Sequence, residues 1–118
     1  MKRRVLIFDD DKSILDIFTI ILEDMGCEVF SSQTSHDIIV KVEGCNPDLI
    51  IMDNWIPNIG GIEATRLLKT NLNYNHIPVI YCSANSDIAL LAESAGAEAY
   101  LSKPFDIVDL EKMVCEML

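Results

Sequence analysis

The sequence has few basic residues, and they are sparse after residue 4. It contains 9 lysines and arginines against 19 acidic residues, and three of those nine are Lys2, Arg3 and Arg4. Surfaces that bind nucleic acid or anionic membranes need clustered Lys and Arg, so this composition argues against direct binding to either. The net charge of −10 leaves a surplus of acid that has to be explained.

Long apolar runs and clustered cysteines are also missing. No run approaches the ~18 residues of a membrane span, and residues 5–8, after the basic start, are too short for a signal peptide. The four cysteines, Cys27, Cys45, Cys82 and Cys115, include no C-x-x-C pair and have no histidine at ligand spacing. We interpret them as small core residues in a reduced compartment, and we expect a cytoplasmic protein.

The chain lacks repeats, low-complexity tracts and Pro/Gly/Ser-rich linkers. A length of 118 residues suits one domain, and a hydrophobic content of 50% argues against disorder. Residues 1–118 are therefore predicted to form a single domain. There is no Gly-rich loop of the P-loop or G-x-G-x-x-G kind, which argues against nucleotide binding.

Short apolar segments alternate with segments of helical periodicity along the whole chain. The predicted strands are residues 5–8, 27–31, 48–53, 77–82 and 99–101. Caps for the helices that follow are predicted at Thr34 or Ser35, at Ser86 and at Asp106, and glycines 26, 44 and 96 are predicted to end helices. This alternation indicates five strand–helix units.

Alternating units of this kind build a parallel sheet with helices on both faces. Right-handed crossovers restrict the possible topologies, and five units are too few for an eight-fold barrel. We predict an α/β, flavodoxin-like (βα)5 doubly wound fold with the strand order 2-1-3-4-5. In such sheets ligands bind at the carboxyl ends of the strands.

Polar side chains follow four of the predicted strands at that edge. Asp9 and Asp10 follow the first strand, Asp53 ends the third, Ser83 follows the fourth and Lys103 follows the fifth. Each residue alone suits a helix cap or a solvated loop, but together they place three carboxylates side by side. Such charges repel unless a cation neutralises them, and carboxylates without Cys or His favour Mg²⁺ or Mn²⁺. The sequence therefore predicts a divalent-metal phosphate site.

Five segments in order resemble the CheY-like receiver domains of two-component response regulators. They are residues 5–11, 48–53, 56–61, 77–84 and 96–105, and together they cover essentially the whole chain. The resemblance implies that Asp53 accepts a phosphoryl group and that Lys103 contacts it. It also implies a magnesium site formed directly by Asp10 and Asp53, partly through water by Asp9, and by the backbone carbonyl of Trp55.

The resemblance also assigns residues to switching. Ser83 would turn its hydroxyl toward the phosphoryl group, and the rotamer of Tyr100 would report activation. The bond before Pro104 is expected to be cis. Trp55 and Asn85 stand at positions that tune the lifetime of the phosphorylated state. A further departure, Gly60 and Gly61 in place of the commoner acid–Gly pair, predicts a looser loop.

By the same resemblance the protein is a signalling switch that catalyses only its own phosphorylation and dephosphorylation. The donor would be a sensor histidine kinase or a histidine phosphotransfer protein. An effector partner or fused output domain would meet the helix 4–strand 5–helix 5 face, about residues 86–118, and a phosphorylation-dependent homodimer stays open. The chain is either a stand-alone regulator or, as we expect, one domain of a larger protein.

Two alternatives belong to other classes of protein. Residues 8–11 match the D-x-D start of haloacid-dehalogenase-type phosphatases, in which Asp9 would be the nucleophile. The chain is short for that fold, however, and the final acidic pair is missing because Asp106 and Asp109 fall at a helix start. The second alternative is a binding module that works without phosphorylation, which no residue of the sequence favours.

Overall fold

The computed structural model describes residues 2–118 as a five-stranded parallel sheet flanked by five helices. The order β2-β1-β3-β4-β5 confirms the predicted doubly wound topology. The elements in chain order are β1 (Arg4–Phe8), α1 (Lys12–Asp24), β2 (Glu28–Ser32), α2 (Ile38–Cys45), β3 (Leu49–Asp53), α3 (Gly61–Lys69), β4 (Val79–Ser83), α4 (Ile88–Ala95), β5 (Ala99–Ser102) and α5 (Ile107–Met117).

The three central strands are buried on both faces. Every residue of β3 and β4 is buried, and so are the last four of β1. Helices cover both faces of a parallel sheet, so these strands are continuous apolar runs rather than alternating patterns. The edge strands β2 and β5 are only partly buried, which explains why their sequences gave the weaker strand signals.

Helices α1 and α5 pack on one face of the sheet, and α2, α3 and α4 pack on the other. The first face holds a core of alternate strand residues with the buried sides of α1 and α5. On the second face, one cluster joins the strands to α2 and α3, and a smaller one joins Tyr81 to α4. The alternation of strand side chains between the two faces produces both cores.

The predicted cap of α2 at Thr34 or Ser35 is wrong. The helix begins at Ile38, after Asp37 in the left-handed region with φ 52°. The Ser35 hydroxyl instead lies 2.8 Å from the Pro57 carbonyl and 2.6 Å from the Ile59 carbonyl, to one of which it donates, and it accepts from the Ile59 amide at 2.8 Å. Ser35 therefore anchors the loop after β3, because a buried hydroxyl takes the partner that tertiary structure offers rather than the nearest helix end.

The predicted end of α2 is also wrong by two residues. Gly44 lies inside the helix, which continues to Cys45, and Asn46 takes the left-handed conformation with φ 48° that closes it. Asparagine tolerates that conformation better than most residues, so it replaces glycine as the stop signal.

The predicted cap of α4 at Ser86 is wrong as well. The helix begins at Ile88, and it is the side-chain oxygen of Asn85 that accepts a hydrogen bond from the Asp87 amide at 2.8 Å. Gly96, with φ 84°, ends α4 as predicted. Asp106 precedes α5 as predicted, but its side chain makes no capping hydrogen bond.

The cysteines are only partly the core residues that the sequence suggests. Cys27 and Cys82 are buried, Cys45 is partly exposed and Cys115 is exposed, and all four are free thiols. Burial raises the pKa of the Cys82 thiol to about 12, which keeps it protonated. In residues 2–118, none of the helices combines the length and the hydropathy that crossing a bilayer requires.

Candidate functional site

The topology brings the predicted polar residues to one edge of the sheet. Asp9 and Asp10 directly follow β1, Asp53 is the last residue of β3, Ser83 is the last of β4, and Lys103 follows β5. The four strands are hydrogen-bonded neighbours that end together at this edge. A parallel sheet thus converts positions far apart in sequence into one cluster.

The ammonium group of Lys103 lies between two buried carboxylates. Its Nζ is 2.7 Å from Oδ1 of Asp53 and 3.0 Å from Oδ2 of Asp9. Asp9 is 1% exposed and Asp53 is 4% exposed, so water screens neither charge well. Lys103 is therefore the cation that compensates the charges of these two buried carboxylates when no metal is bound.

The second oxygen of each buried carboxylate accepts a backbone hydrogen bond. The amide of Asp11 donates to Oδ1 of Asp9 at 2.9 Å, and the amide of Trp55 donates to Oδ2 of Asp53 at 3.0 Å. Both carboxylates are thus fixed in orientation by one lysine and one loop amide. The two carboxylates are thereby held in place beside Asp10, which is exposed.

Asp9, Asp10 and Asp53 fit a magnesium ion. Each offers one carboxylate oxygen, and these oxygens all lie within 4.8 Å of one another. Magnesium takes oxygen ligands at about 2.0–2.1 Å in an octahedron, which places neighbouring ligand oxygens about 3 Å apart, so these carboxylates would have to move closer together to hold the ion. The donors are hard oxygens with no sulfur or nitrogen among them, so the chemistry of the set also suits that ion.

The electrostatics of the cluster raise the pKa values of both Asp9 and Lys103. Burial raises the pKa of Asp9, and the hydrogen bonds from the Asp11 amide and Lys103 offset only part of this effect. Burial lowers the pKa of Lys103, but the hydrogen bonds to Asp53 and Asp9 outweigh it and raise that pKa overall. The ammonium therefore stays protonated at neutral pH.

Ser83, the last residue of β4, and Asn85, in the turn that follows, lie close together. Ser83 is 2% exposed, and its Oγ accepts a hydrogen bond from the Asn85 amide at 3.0 Å. In the described part of the chain, the Ser83 hydroxyl makes no hydrogen bond to Asp53 or Lys103, although the Lys103 amide donates to the Ser83 carbonyl. The hydroxyl proton of Ser83 is thus uncommitted in this conformation.

The other predicted residues surround the cluster without joining it. The Trp55 side chain is 76% exposed, and Tyr100, in the middle of β5, is 44% exposed. The peptide bond between Lys103 and Pro104 is cis. Tyr100 is paired in register with Tyr81 of β4, so it lies farther from the edge than Ser83 does.

Sequence reasoning missed two features beside Asp53. The hydroxyl of Tyr81 donates to the side-chain oxygen of Asn54, the residue after Asp53. Gly61 packs so closely that a Cβ there would lie 2.4 Å from the Asp53 carbonyl oxygen. The looser loop expected from Gly60 stays a prediction. A signal for the hydrogen bond was the hydroxyl-bearing Tyr81 inside the apolar run of β4, because a buried hydroxyl needs a partner.

Replacing Lys103 tests its role as the cation of the buried acids. We expect Lys103→Met to lower the free energy of unfolding at neutral pH by about 2 kcal/mol, because two buried carboxylates lose their partner. Added Mg²⁺ should restore more stability to this variant than to the parent, since metal and lysine neutralise the same charges. Urea unfolding with and without Mg²⁺ measures both effects.

Lys12→Met is the matched control for that experiment. Lys12 pairs with Asp16 at 3.2 Å on the surface, where both side chains are more than half exposed. Such pairs contribute about 0.5 kcal/mol or less. Equal losses of stability in the two variants would contradict the role of Lys103.

Comparison with known proteins places this geometry in a family. The response regulator receiver domain model matches residues 5–115. The CAI-1 autoinducer sensor kinase/phosphatase CqsS of Vibrio cholerae is 38% identical in an alignment of 108 residues that covers 89% of this chain but only 16% of that protein. The chain thus spans a small part of that relative's length.

Solved structures agree with the family match. The chemotaxis response regulator CheY4 of Vibrio cholerae superposes with a TM-score of 0.91 at 25% identity, covering 100% of both chains. The receiver domain of sensor histidine kinase PA1611 from Pseudomonas aeruginosa, solved with a magnesium ion in its active site cleft, gives a TM-score of 0.89 at 24% identity, covering 99% of this chain and 98% of its own. The chain belongs to the response regulator receiver domain family of two-component signalling.

Proposed function

We propose that residues 1–118 act as one receiver domain that accepts a phosphoryl group on Asp53. The donor is the phosphohistidine of a sensor histidine kinase or a histidine phosphotransfer protein, and the reaction depends on Mg²⁺. The observation that carries this proposal is the Asp53 carboxylate, held 2.7 Å from Lys103 and grouped with Asp9 and Asp10. Receiver domains are signalling switches, so we assign no reaction on other substrates.

Each residue of the cluster has a separate role in the proposed phosphoryl transfer. An oxygen of Asp53 forms the new bond to phosphorus while the bond between phosphorus and the donor imidazole nitrogen breaks, and that nitrogen keeps the electron pair. The result is an acyl phosphate. Lys103 offers a positive charge on Oδ1, and the Trp55 amide fixes Oδ2, so the nucleophile is oriented before the donor arrives.

The three carboxylates would hold Mg²⁺, together with the backbone carbonyl of Trp55. A bound divalent ion supplies positive charge between the nucleophile and the anionic phosphoryl group. The magnesium described for the PA1611 receiver domain supports this assignment. Mn²⁺ prefers the same oxygen donors and is a possible substitute.

Ser83 provides a contact that differs between the two states. Its Oγ accepts from the Asn85 amide, and its own proton is free to be donated to a phosphoryl oxygen on Asp53. A switch requires such a differential interaction, because a contact present in both states shifts no equilibrium. We propose that Ser83 moves toward the phosphoryl group and that the rotamer of Tyr100 reports this movement. The change is transmitted through α4, β5 and α5 to an effector or a fused output domain, or it promotes a homodimer.

Burial and hydrogen bonding do not separate Asp53 from Asp9, the nucleophile of the phosphatase alternative. Both carboxylates are buried, and each accepts one hydrogen bond from Lys103 and one from a backbone amide. We set the phosphatase aside because the receiver domain model matches residues 5–115 and because the final acidic pair of that phosphatase fold is missing from the sequence.

The experiment that tests the proposal is phosphorylation by acetyl phosphate with and without Mg²⁺. Intact mass should show one added phosphoryl group only when Mg²⁺ is present, and borohydride reduction followed by peptide mapping should place it on Asp53. Label on Asp9 would support the phosphatase. No label at all would favour a binding module, and sizing the labelled protein shows whether it dimerises.

Trp55 is expected to slow the loss of the phosphoryl group. Its amide donates to the Asp53 carboxylate, so the Trp55 side chain is attached to the backbone directly beside the acceptor. From there the indole can obstruct attacking water. We expect phosphorylated Trp55→Ala to decay several-fold faster, up to about tenfold, which corresponds to about 1.4 kcal/mol of activation free energy.

The decay is followed by mass after removal of the donor. Leu72→Ala is the control, since Leu72 is 90% exposed and follows α3 at the opposite end of the sheet. A Trp55→Ala lifetime equal to that of the parent would show that the indole only covers the loop. An Asn85→Ala variant tests the second lifetime position in the same assay.

A further inference from the structure

Tyr81 connects the sheet edge to α4 from inside the core. It lies in β4, two residues before Ser83, and it is completely buried. Its ring packs in a cluster with Ile88, Ala92 and Ala95, which are the buried residues of α4. A shift of α4 therefore changes the packing around Tyr81.

The hydroxyl of the same residue reaches the loop that carries the phosphoacceptor. It donates a hydrogen bond to the side-chain oxygen of Asn54, which stands between Asp53 and Trp55. The backbone of Asn54 is held separately: its amide donates to the Cys82 carbonyl at 3.0 Å, and its carbonyl accepts from the Gly61 amide at 3.1 Å. The Asn54 side chain thus gives this loop a link to the α4 cluster.

The hydroxyl of Tyr81 acts as a donor at every pH at which the protein works. Burial, with a smaller contribution from the charge of Asp53, raises the pKa of Tyr81 to about 12. A neutral phenol donates its single proton, and the side-chain oxygen of Asn54 can only accept it. The polarity of this hydrogen bond is therefore fixed.

We propose that Tyr81 is a positioning residue that couples the packing of α4 to the loop of Asp53, Asn54 and Trp55. The proposal rests on the function proposed for Asp53 and adds a path between the site and α4 that is separate from Ser83 and Tyr100. Coupling is reciprocal, so an event that moves α4 changes the affinity of the loop for metal, and metal binding biases α4.

The first test compares Tyr81→Phe with Tyr74→Phe. Tyr81→Phe keeps the ring against α4 and removes only the hydroxyl, whereas Tyr74 lies in the connection between α3 and β4, at the other end of the sheet. Trp55 is the only tryptophan of the chain and belongs to the loop, so its fluorescence reports Mg²⁺ binding.

We expect Tyr81→Phe to bind Mg²⁺ about fivefold more weakly, the loss that corresponds to one ordinary hydrogen bond, and to take up phosphoryl groups from acetyl phosphate more slowly at limiting Mg²⁺. Tyr74→Phe should match the parent in both assays. Tyr81→Phe matching the parent in Mg²⁺ affinity would overturn the proposal.

A double-mutant cycle with Asn54→Ala separates positioning from general loosening. Asn54 is only partly buried, so if Tyr81→Phe folds poorly, Asn54→Ala alone still removes the same hydrogen bond and should show the same loss of Mg²⁺ affinity. If the two residues act through one hydrogen bond, the double variant should lose about as much Mg²⁺ affinity as either single variant. Additive losses would overturn the coupling.

Hydrogen exchange of the α4 amides supplies a readout that a purely structural role would not move. Mg²⁺ should alter the exchange of residues 88–95 in the parent and in Tyr74→Phe, but much less in Tyr81→Phe. An unchanged α4 response in Tyr81→Phe would overturn the proposal. Failure of the parent to take up phosphoryl groups would instead reject the proposed function, because Mg²⁺ titration and exchange do not need the transfer.

Discussion

The Asp53→Asn variant is expected to take up no phosphoryl group from acetyl phosphate under conditions in which the parent is labelled. A neutral amide is a poor nucleophile and cannot form an acyl phosphate, so we expect the loss to exceed about 100-fold. The amide oxygen can still accept the hydrogen bond from Lys103, so the variant should fold. Its Mg²⁺ affinity should fall because one carboxylate is gone.

Asp16→Asn is the control for this experiment. Asp16 is a surface carboxylate of α1, more than half exposed, whose partner is Lys12. It should be labelled at the rate of the parent, and both variants should unfold cooperatively as a check on folding. Labelling of Asp53→Asn at another aspartate, Asp9 or Asp10 above all, would reject Asp53 as the acceptor.

Gly61→Ala is expected to give the largest loss of stability among single-methyl additions near the site. The new Cβ would lie 2.4 Å from the carbonyl oxygen of Asp53 and 3.0 Å from Cα of Asn54. Both contacts are to backbone, which cannot swing away, so the end of β3 or the start of α3 must move. We expect the free energy of unfolding to fall by about 3 kcal/mol.

The neighbouring glycine gives a matched control. A Cβ on Gly60 would meet nothing closer than the Asn54 carbonyl oxygen at 3.9 Å, and its φ of −64° suits any residue. Gly60→Ala should therefore leave stability nearly unchanged or raise it by about 0.5 kcal/mol through the unfolded chain. Urea unfolding of both variants decides the point: similar losses would show that loop flexibility, not close packing, is what matters at this pair.

The backbone displacement in Gly61→Ala should also affect phosphoryl transfer. Gly61→Ala pushes on the backbone of Asp53, whose side chain must stay within reach of Lys103. We expect slower phosphoryl uptake from acetyl phosphate in the folded fraction of this variant. Gly60→Ala should be labelled like the parent.

The sheet order and the cluster of Asp9, Asp10, Asp53 and Lys103 followed from sequence because they depend on strong local signals. Buried parallel strands are continuous apolar runs, and the polar residue that ends each run falls at a shared edge once the order is known. Helix starts were less predictable. Ser35 and Ser86 both resemble caps in the sequence. Ser35 instead binds a loop more than twenty residues away, and the side chain of Asn85 accepts the hydrogen bond in the turn before α4.

The hydrogen bond between Tyr81 and Asn54 and the close packing of Gly61 were not predictable in the same way. Both depend on which side chains and backbone atoms meet between β3, β4 and α3. Periodicity predicts which face of an element is buried, but not how far that element is shifted along its neighbours. A glycine before a helix looks the same in sequence whether it is needed for a turn or for lack of space. Gly61 is needed because no Cβ fits beside Asp53.

The bridge that Lys103 makes between Asp9 and Asp53 also sets the electroneutrality of the site. Three carboxylates and one ammonium leave two negative charges, which one divalent cation neutralises and a sodium ion does not. In the proposed function, phosphorylation of Asp53 would replace the carboxylate charge by about −1.5 to −2, so the site with its divalent ion would become anionic again. Neutral donors such as the Ser83 hydroxyl would then meet part of the excess charge, and the receiver would have to reorganise between its two states.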